Sequence, residues 1–104
     1  MEMINEDIEL VMLSRVARNL GITITRAKES LRCGFYHDAI VRELLKEHAK
    51  ENKIASDCYK MALRLPRAVP MITEYSRARK RVEAIENLIS KANGNYLEVK
   101  KASR

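Results

Sequence analysis

Seven apolar residues, Met71, Tyr75, Ala78, Val82, Ile85, Ile89 and Ala92, recur at alternating spacings of four and three. That pattern keeps one stripe of a helix facing a neighbour over three heptads, an a/d seam. A strand has no use for it, because strand side chains alternate every second residue. Just upstream, Pro66 and Pro70 bracket the stretch PRAVP, and proline neither continues a helix interior nor leaves the residue before it unrestricted. A long C-terminal helix following a sharp break is therefore expected. Its seam can pack on the chain's own bundle or on a second copy of the chain, which would make a homodimer through that helix.

The rest of the chain carries further helical signals. Asn5 suits an N-cap, and Glu6, Asp7 and Glu9 fall in the first turn, where carboxylates favour the positive helix end. These acids need no function beyond starting a helix. Ile8, Val11 or Met12, Val16 and Leu20 follow at helical spacing, and Gly21 fits the position that ends it. Thr23 or Thr25 can cap a second helix, Arg26 to Arg32, with Ala27 and Leu31 inward and Gly34 as its stop. A third helix begins near Tyr36 and runs through Ile40, Val41, Leu44, Leu45 and His48. It is expected to pause near Asn52 and resume after Ser56, with Cys58, Tyr59, Ala62 and Leu65 inward. Gly94 after Asn93 is expected to close the last helix, leaving residues 95–104 as a basic, flexible tail. The reading is all-α: one domain over residues 1–94, a small bundle of four to five helices.

Composition agrees. The 104 residues hold one Phe, no Trp and three Gly, poor material for a β-sandwich, and Leu, Ala, Glu, Lys and Arg dominate. No apolar run approaches the roughly 18 residues of a membrane span, and an acidic N-terminus has the wrong sign for a signal peptide. A cytoplasmic protein is expected. Cys33 and Cys58 stand far apart with no C-x-x-C spacing, as free buried thiols of a reducing compartment would. Glu2, Glu6, Asp7 and Glu9 put four acids and no base into the first ten residues, so the remainder sets 20 basic against 10 acidic side chains. That surplus either attracts an anionic partner such as nucleic acid or simply keeps the protein soluble.

One stretch carries two resemblances. VARNLGITITRAKESL, beginning at Val16, resembles the helix-turn-helix of transcription factors. Ala17 sits where the two helices cross, Leu20 and Ile22 flank the turn glycine Gly21, Thr23 caps the would-be recognition helix, and Ala27 and Leu31 point inward. The resemblance implies that Thr25, Arg26 and Glu29, with Ser30 beside them, face the major groove of duplex DNA. Arg15, Arg18, Lys28 and Arg32 would contact phosphates. In a frame ten residues on, AKESLRCGFYHDAIVRELL is similar to the helical hairpins of tetratricopeptide-type repeats, MIT domains and HEPN domains over residues 27–48. ITEYSRARKRVEAI is loosely similar to the final MIT helix. These families imply protein binding. Some HEPN domains are ribonucleases with an Arg-x(4-6)-His motif, which Arg42 and His48 match. The family implies phosphate binding by the arginine and acid–base work by the histidine, although six residues along one helix set the two side chains about 120° apart.

No other catalytic pattern is present. His37 and His48 are the only histidines, so a His/Cys metal site has no local ligand set, and no phosphate loop or nucleophile elbow occurs. Glu43, Glu47 and Glu51, interleaved with Lys46, Lys50 and Lys53, read as a salt-bridged solvent face. The sequence thus suggests a non-enzymatic protein without cofactor, metal or small-molecule substrate. Binding of duplex DNA or RNA through residues 15–32 is the first expectation, a helical protein-interaction module the second, and a HEPN-like ribonuclease the third.

Overall fold

A computed structural model of the chain describes residues 5–34, 37–64 and 69–102. It holds four helices and, among the described residues, no strand: α1 (Asn5–Leu20), α2 (Ile24–Cys33), α3 (His37–Arg64) and α4 (Val69–Ala102). The protein is an all-α bundle. No helix among the described residues is long and apolar enough to cross a membrane.

The first three boundaries follow from local chemistry. Asn5 is the first residue of α1, one position inside the expected cap, a difference no larger than the sharpness of helix ends. At the other end Gly21 takes φ +70°. Its N–H bonds the Arg18 carbonyl at 3.1 Å, and the Ile22 N–H bonds the Ala17 carbonyl at 3.0 Å. This pair of bonds is the Schellman stop, and it satisfies two carbonyls that a helix end leaves open. Thr23 then caps α2, its Oγ1 accepting from the Arg26 N–H at 3.1 Å. Of the two candidate threonines, Thr23 is the cap. Gly34 ends α2 at φ +78°, donating to the Ser30 carbonyl at 2.9 Å. Pro70 is the second residue of α4, where its missing N–H costs nothing.

Two expected interruptions do not occur. α3 is one helix of 28 residues that passes through Asn52 and Ser56 without a break, and Ser56 is exposed mid-helix. Asn and Ser weaken a helix by only a few tenths of a kcal/mol against its neighbours, and Ala55 is buried between them. Likewise α4 continues through Gly94 to Ala102, so residues 95–102 are helical backbone. A glycine ends a helix when it turns left-handed, and Gly94 does not.

α3 and α4 form an antiparallel hairpin. His37 meets Asn93, His48 meets Glu86, Glu51 meets Arg81 and Tyr59 meets Tyr75, so numbers fall along α4 as they rise along α3. At about 1.5 Å per residue the two helices account for the long dimension of the molecule, 59 Å against 23 and 22 Å. The hydrophobic core lies on the half of the α3–α4 hairpin where α3 begins. It joins Ile8, Met12, Leu13, Val16 and Ala17 of α1 to Ala27 of α2, Ile40 and Leu44 of α3, and Ala84, Ile85 and Leu88 of α4. Within the seam, Ala78, Val82, Ile85 and Ala92 are buried in the chain itself, while Met71, Tyr75 and Ile89 are half-buried. The opposite end of the rod is thinner. Of the residues expected inward there, Cys58 and Ala62 are half-buried, Tyr59 is exposed, and Leu65 lies outside the described residues, as do Tyr36 and Pro66. Leu45 is likewise exposed and Val41 half-buried.

Two glycines make opposite predictions. A Cβ at either Gly21 or Gly94 meets nothing within 4 Å, so only backbone conformation counts. Gly21→Ala forces an L-residue to φ +70° and is expected to cost about 1 kcal/mol. Gly94→Ala removes a helix-interior glycine and is expected to stabilise by about 0.5–1 kcal/mol. Urea unfolding of the two variants should move the midpoint in opposite directions.

Candidate functional site

The basic residues proposed from sequence divide into two groups. α2 is amphipathic, with Ile24, Ala27, Ser30 and Leu31 inward and Thr25, Arg26, Lys28, Glu29 and Arg32 exposed. Arg18, across the Gly21 turn on α1, is exposed as well. No ion pair holds Arg18, Arg26, Lys28 or Arg32 among the described residues. Ser30 leaves the outward set: it is buried, and its Oγ donates to the Arg26 carbonyl at 2.8 Å. Leu31 is half-buried against the core.

Arg15 belongs elsewhere. Its Nη1 lies 2.9 Å from Glu51 Oε1 and 3.3 Å from Glu47 Oε2. Glu51 Oε2 accepts from Arg81 Nε at 2.8 Å, so one carboxylate ties α1 and α4 to α3. Glu47 Oε1 accepts from Asn19 Nδ2 at 3.1 Å, with Lys50 Nζ at 3.5 Å. Burial works against the Arg15 charge, but the bonds and charges of Glu51 and Glu47 outweigh it and hold its pKa above the ordinary value. A raised basic pKa means stability present below the ordinary value and lost only as pH rises through the raised one. Arg15 therefore stays charged throughout the neutral range. Among the described residues no buried side-chain polar atom lacks a partner.

This cluster corrects the expectation that Glu43, Glu47 and Glu51 form a solvent face. Glu47 and Glu51 are 2% and 3% exposed; only Glu43, half-buried beside Lys46 at 3.1 Å, keeps a surface role. A signal was available. Ile40, Leu44, Glu47, Glu51, Ala55 and Cys58 follow one another at spacings of three and four, placing both glutamates on the buried stripe of α3.

His48 is half-buried, its Nε2 3.1 Å from Glu86 Oε1 and its Nδ1 3.2 Å from Asn52 Nδ2, so both ring nitrogens are engaged. Arg42 is exposed on the same helix. Among the described residues no group of three His, Cys, Asp or Glu is placed to hold a metal ion. Cys33 and Cys58 are free and half-buried.

A second surface had no counterpart in the sequence reading. Between α1 and α4 lies a half-open groove of about 770 Å³, with Ile8, Val11, Met12 and Ile72 as its apolar lining and Arg15, Arg77, Lys80 and Arg81 around them. No protein-family model, curated protein or solved structure matches the chain.

Proposed function

We propose that this protein binds nucleic acid through the outward face of α2 together with Arg18. The observation that carries the reading is the state of the cations there. Arg18, Arg26, Lys28 and Arg32 are exposed and unpaired among the described residues, as are Arg42, Lys53, Lys60, Arg64 and Arg79 elsewhere. But the first four gather on α2 and the last turn of α1, whereas Arg15, Arg81 and Lys91 are each held by a glutamate. Unpaired cations on a rigid helix are the ones that can displace condensed counterions from a phosphate backbone. Thr25 and Glu29 lie on the same face, where side chains could reach base edges while the cations fix position. Arg15 drops out of the phosphate-binding set, because withdrawing it would leave two buried carboxylates without their partner.

The three-residue connection with its left-handed glycine is compatible with a helix-turn-helix, but it is also the economical way to join any two helices at a corner. The reading therefore rests on the cations and not on the turn.

Salt-titrated mobility shift on random-sequence duplex DNA and on RNA tests the proposal. Binding at about 50 mM salt should weaken with a log–log slope of about −3 to −4, matching three to four phosphate contacts. The variant Arg26→Ala/Lys28→Ala/Arg32→Ala should reduce that slope by about one per charge removed. Absence of binding at low salt, or an unchanged slope in the variant, refutes the reading. The apolar groove between α1 and α4 favours a second reading, a helical protein-interaction module, and the two surfaces can be tested separately.

A further inference from the structure

α1 and α2 cover one face of the α3–α4 hairpin at one end only. On α4, Leu88, Ala84, Arg81, Arg77 and Thr73 follow each other at spacings of three and four. Leu88 and Ala84 are buried, Arg81 is half-buried, and Arg77 and Thr73 are exposed. The groove is thus the open continuation of a face that the chain closes elsewhere with its own helices. Ile72 is 56% exposed at its edge and Val11 44%. No acidic side chain lines it among the described residues. Its outermost cation, Arg77, is held by Glu74 one turn away at 3.0 Å, a solvent-exposed pair of the kind that is worth little.

A fitting occupant is a helix with acids beside exposed aliphatic residues. One segment of this chain has that chemistry. Glu6 and Asp7 are exposed and carry no ion pair among the described residues, and Leu10, one turn on, is 42% exposed. Asp7, Leu10 and Val11 form one outward ridge of α1 by their spacing. Because α1 is also a wall of the groove, a two-fold arrangement lets each copy offer its ridge to the other's groove, as an isologous interface requires.

We propose that the groove is a self-association surface: Leu10 and Val11 of one copy pack against Ile72 of the other, with Glu6 and Asp7 facing Arg77. This interface lies away from the seam Ala78, Val82, Ile85 and Ala92, which the chain buries within itself. It also stands independently of nucleic-acid binding, because no residue of the outward face of α2 takes part.

Sedimentation equilibrium of the full chain from about 1 to 500 µM, without nucleic acid, is the test. A monomer–dimer equilibrium with a dissociation constant in the micromolar range is expected. Ile72→Asp and Leu10→Asp, both at exposed positions, should each weaken it at least tenfold while circular dichroism shows the helices intact. Arg77→Glu should weaken it several-fold, and Asp7→Lys in the same chain should restore it. A chain that stays monomeric throughout overturns the proposal and leaves the groove to an acidic helix of a different protein. A dimer indifferent to both aspartate variants, or a charge swap that fails to restore association, overturns it equally.

Discussion

Glu51→Ala is expected to lower the unfolding free energy by about 2–4 kcal/mol, among the largest effects of any single polar substitution in this chain. Glu51 is 3% exposed and spends both carboxylate oxygens on arginines from two other helices, Arg15 at 2.9 Å and Arg81 at 2.8 Å. Alanine removes the acceptor and leaves the two guanidiniums facing a void. Arg15 and Arg81 retain 40% and 25% side-chain exposure, so each can turn partly to water. That relief is why the cost falls short of the extreme for a fully enclosed pair. Glu47→Ala should cost less. It also faces Arg15, but at 3.3 Å, and Lys50 at 3.5 Å is already a surface contact. Thermal unfolding followed by circular dichroism should show a midpoint drop of about 10–20 °C for Glu51→Ala. A drop below about 3 °C would mean that these contacts behave as solvated surface pairs. Because the same carboxylate joins α1 to the hairpin, its loss should also loosen the wall of the groove. The Ile72 and Leu10 variants, which avoid the cluster, are therefore the cleaner probes of association.

The features legible in sequence are those set by local chemistry. Gly21 and Gly34 mark stops because left-handed backbone strongly favours glycine, and Thr23 marks a start because its hydroxyl reaches an open N–H three residues on. The outward face of α2 was reached through the helix-turn-helix resemblance: Thr25, Arg26, Lys28, Glu29 and Arg32 are exposed there, while Ser30, offered beside them, is buried. Features that misled were weak local signals overruled by packing. Ser56 has the chemistry of a cap, but a cap is worth about 1 kcal/mol, less than a long hairpin gains by staying unbroken. Gly94 has the chemistry of a stop, and α4 carries it as an ordinary helical residue. The buried ion cluster was hidden by sequence distance. Arg15 is 32 and 36 residues from its glutamates, and the lysines interleaved with Glu47 and Glu51 imitate a solvent face. Only the continuity of the stripe from Ile40 through Cys58 betrays it. The groove was illegible for a related reason. It is defined by where α1 and α2 stop covering α4, a boundary that no local pattern encodes.

Leu44→Ala is expected to cost about 3–4 kcal/mol, and Leu63→Ala close to nothing. Leu44 is fully buried where α3 meets α1 and α4, so truncation leaves a cavity that rigid neighbours cannot fill. Leu63 is 71% exposed at the far end of the same helix, where alanine removes side-chain atoms that were already in water. The pair measures how unevenly stability is distributed along the rod. A domain of this size has about 5–15 kcal/mol in total, so Leu44→Ala removes a large share of it. Native-state hydrogen exchange should show the same gradient. Amides around Ile40–Leu44 and Val82–Leu88, at the end that four helices enclose, should open only with global unfolding. Amides of residues 57–64 and 72–76, which contribute nothing to the buried core and in the second case border the open groove, should exchange through local opening of lower free energy. Dimerisation gives that gradient a further use. If a second copy closes the groove, protection of residues 72–76 should rise with protein concentration while that of Ile40–Leu44 stays fixed, since only the open end of the rod gains a partner.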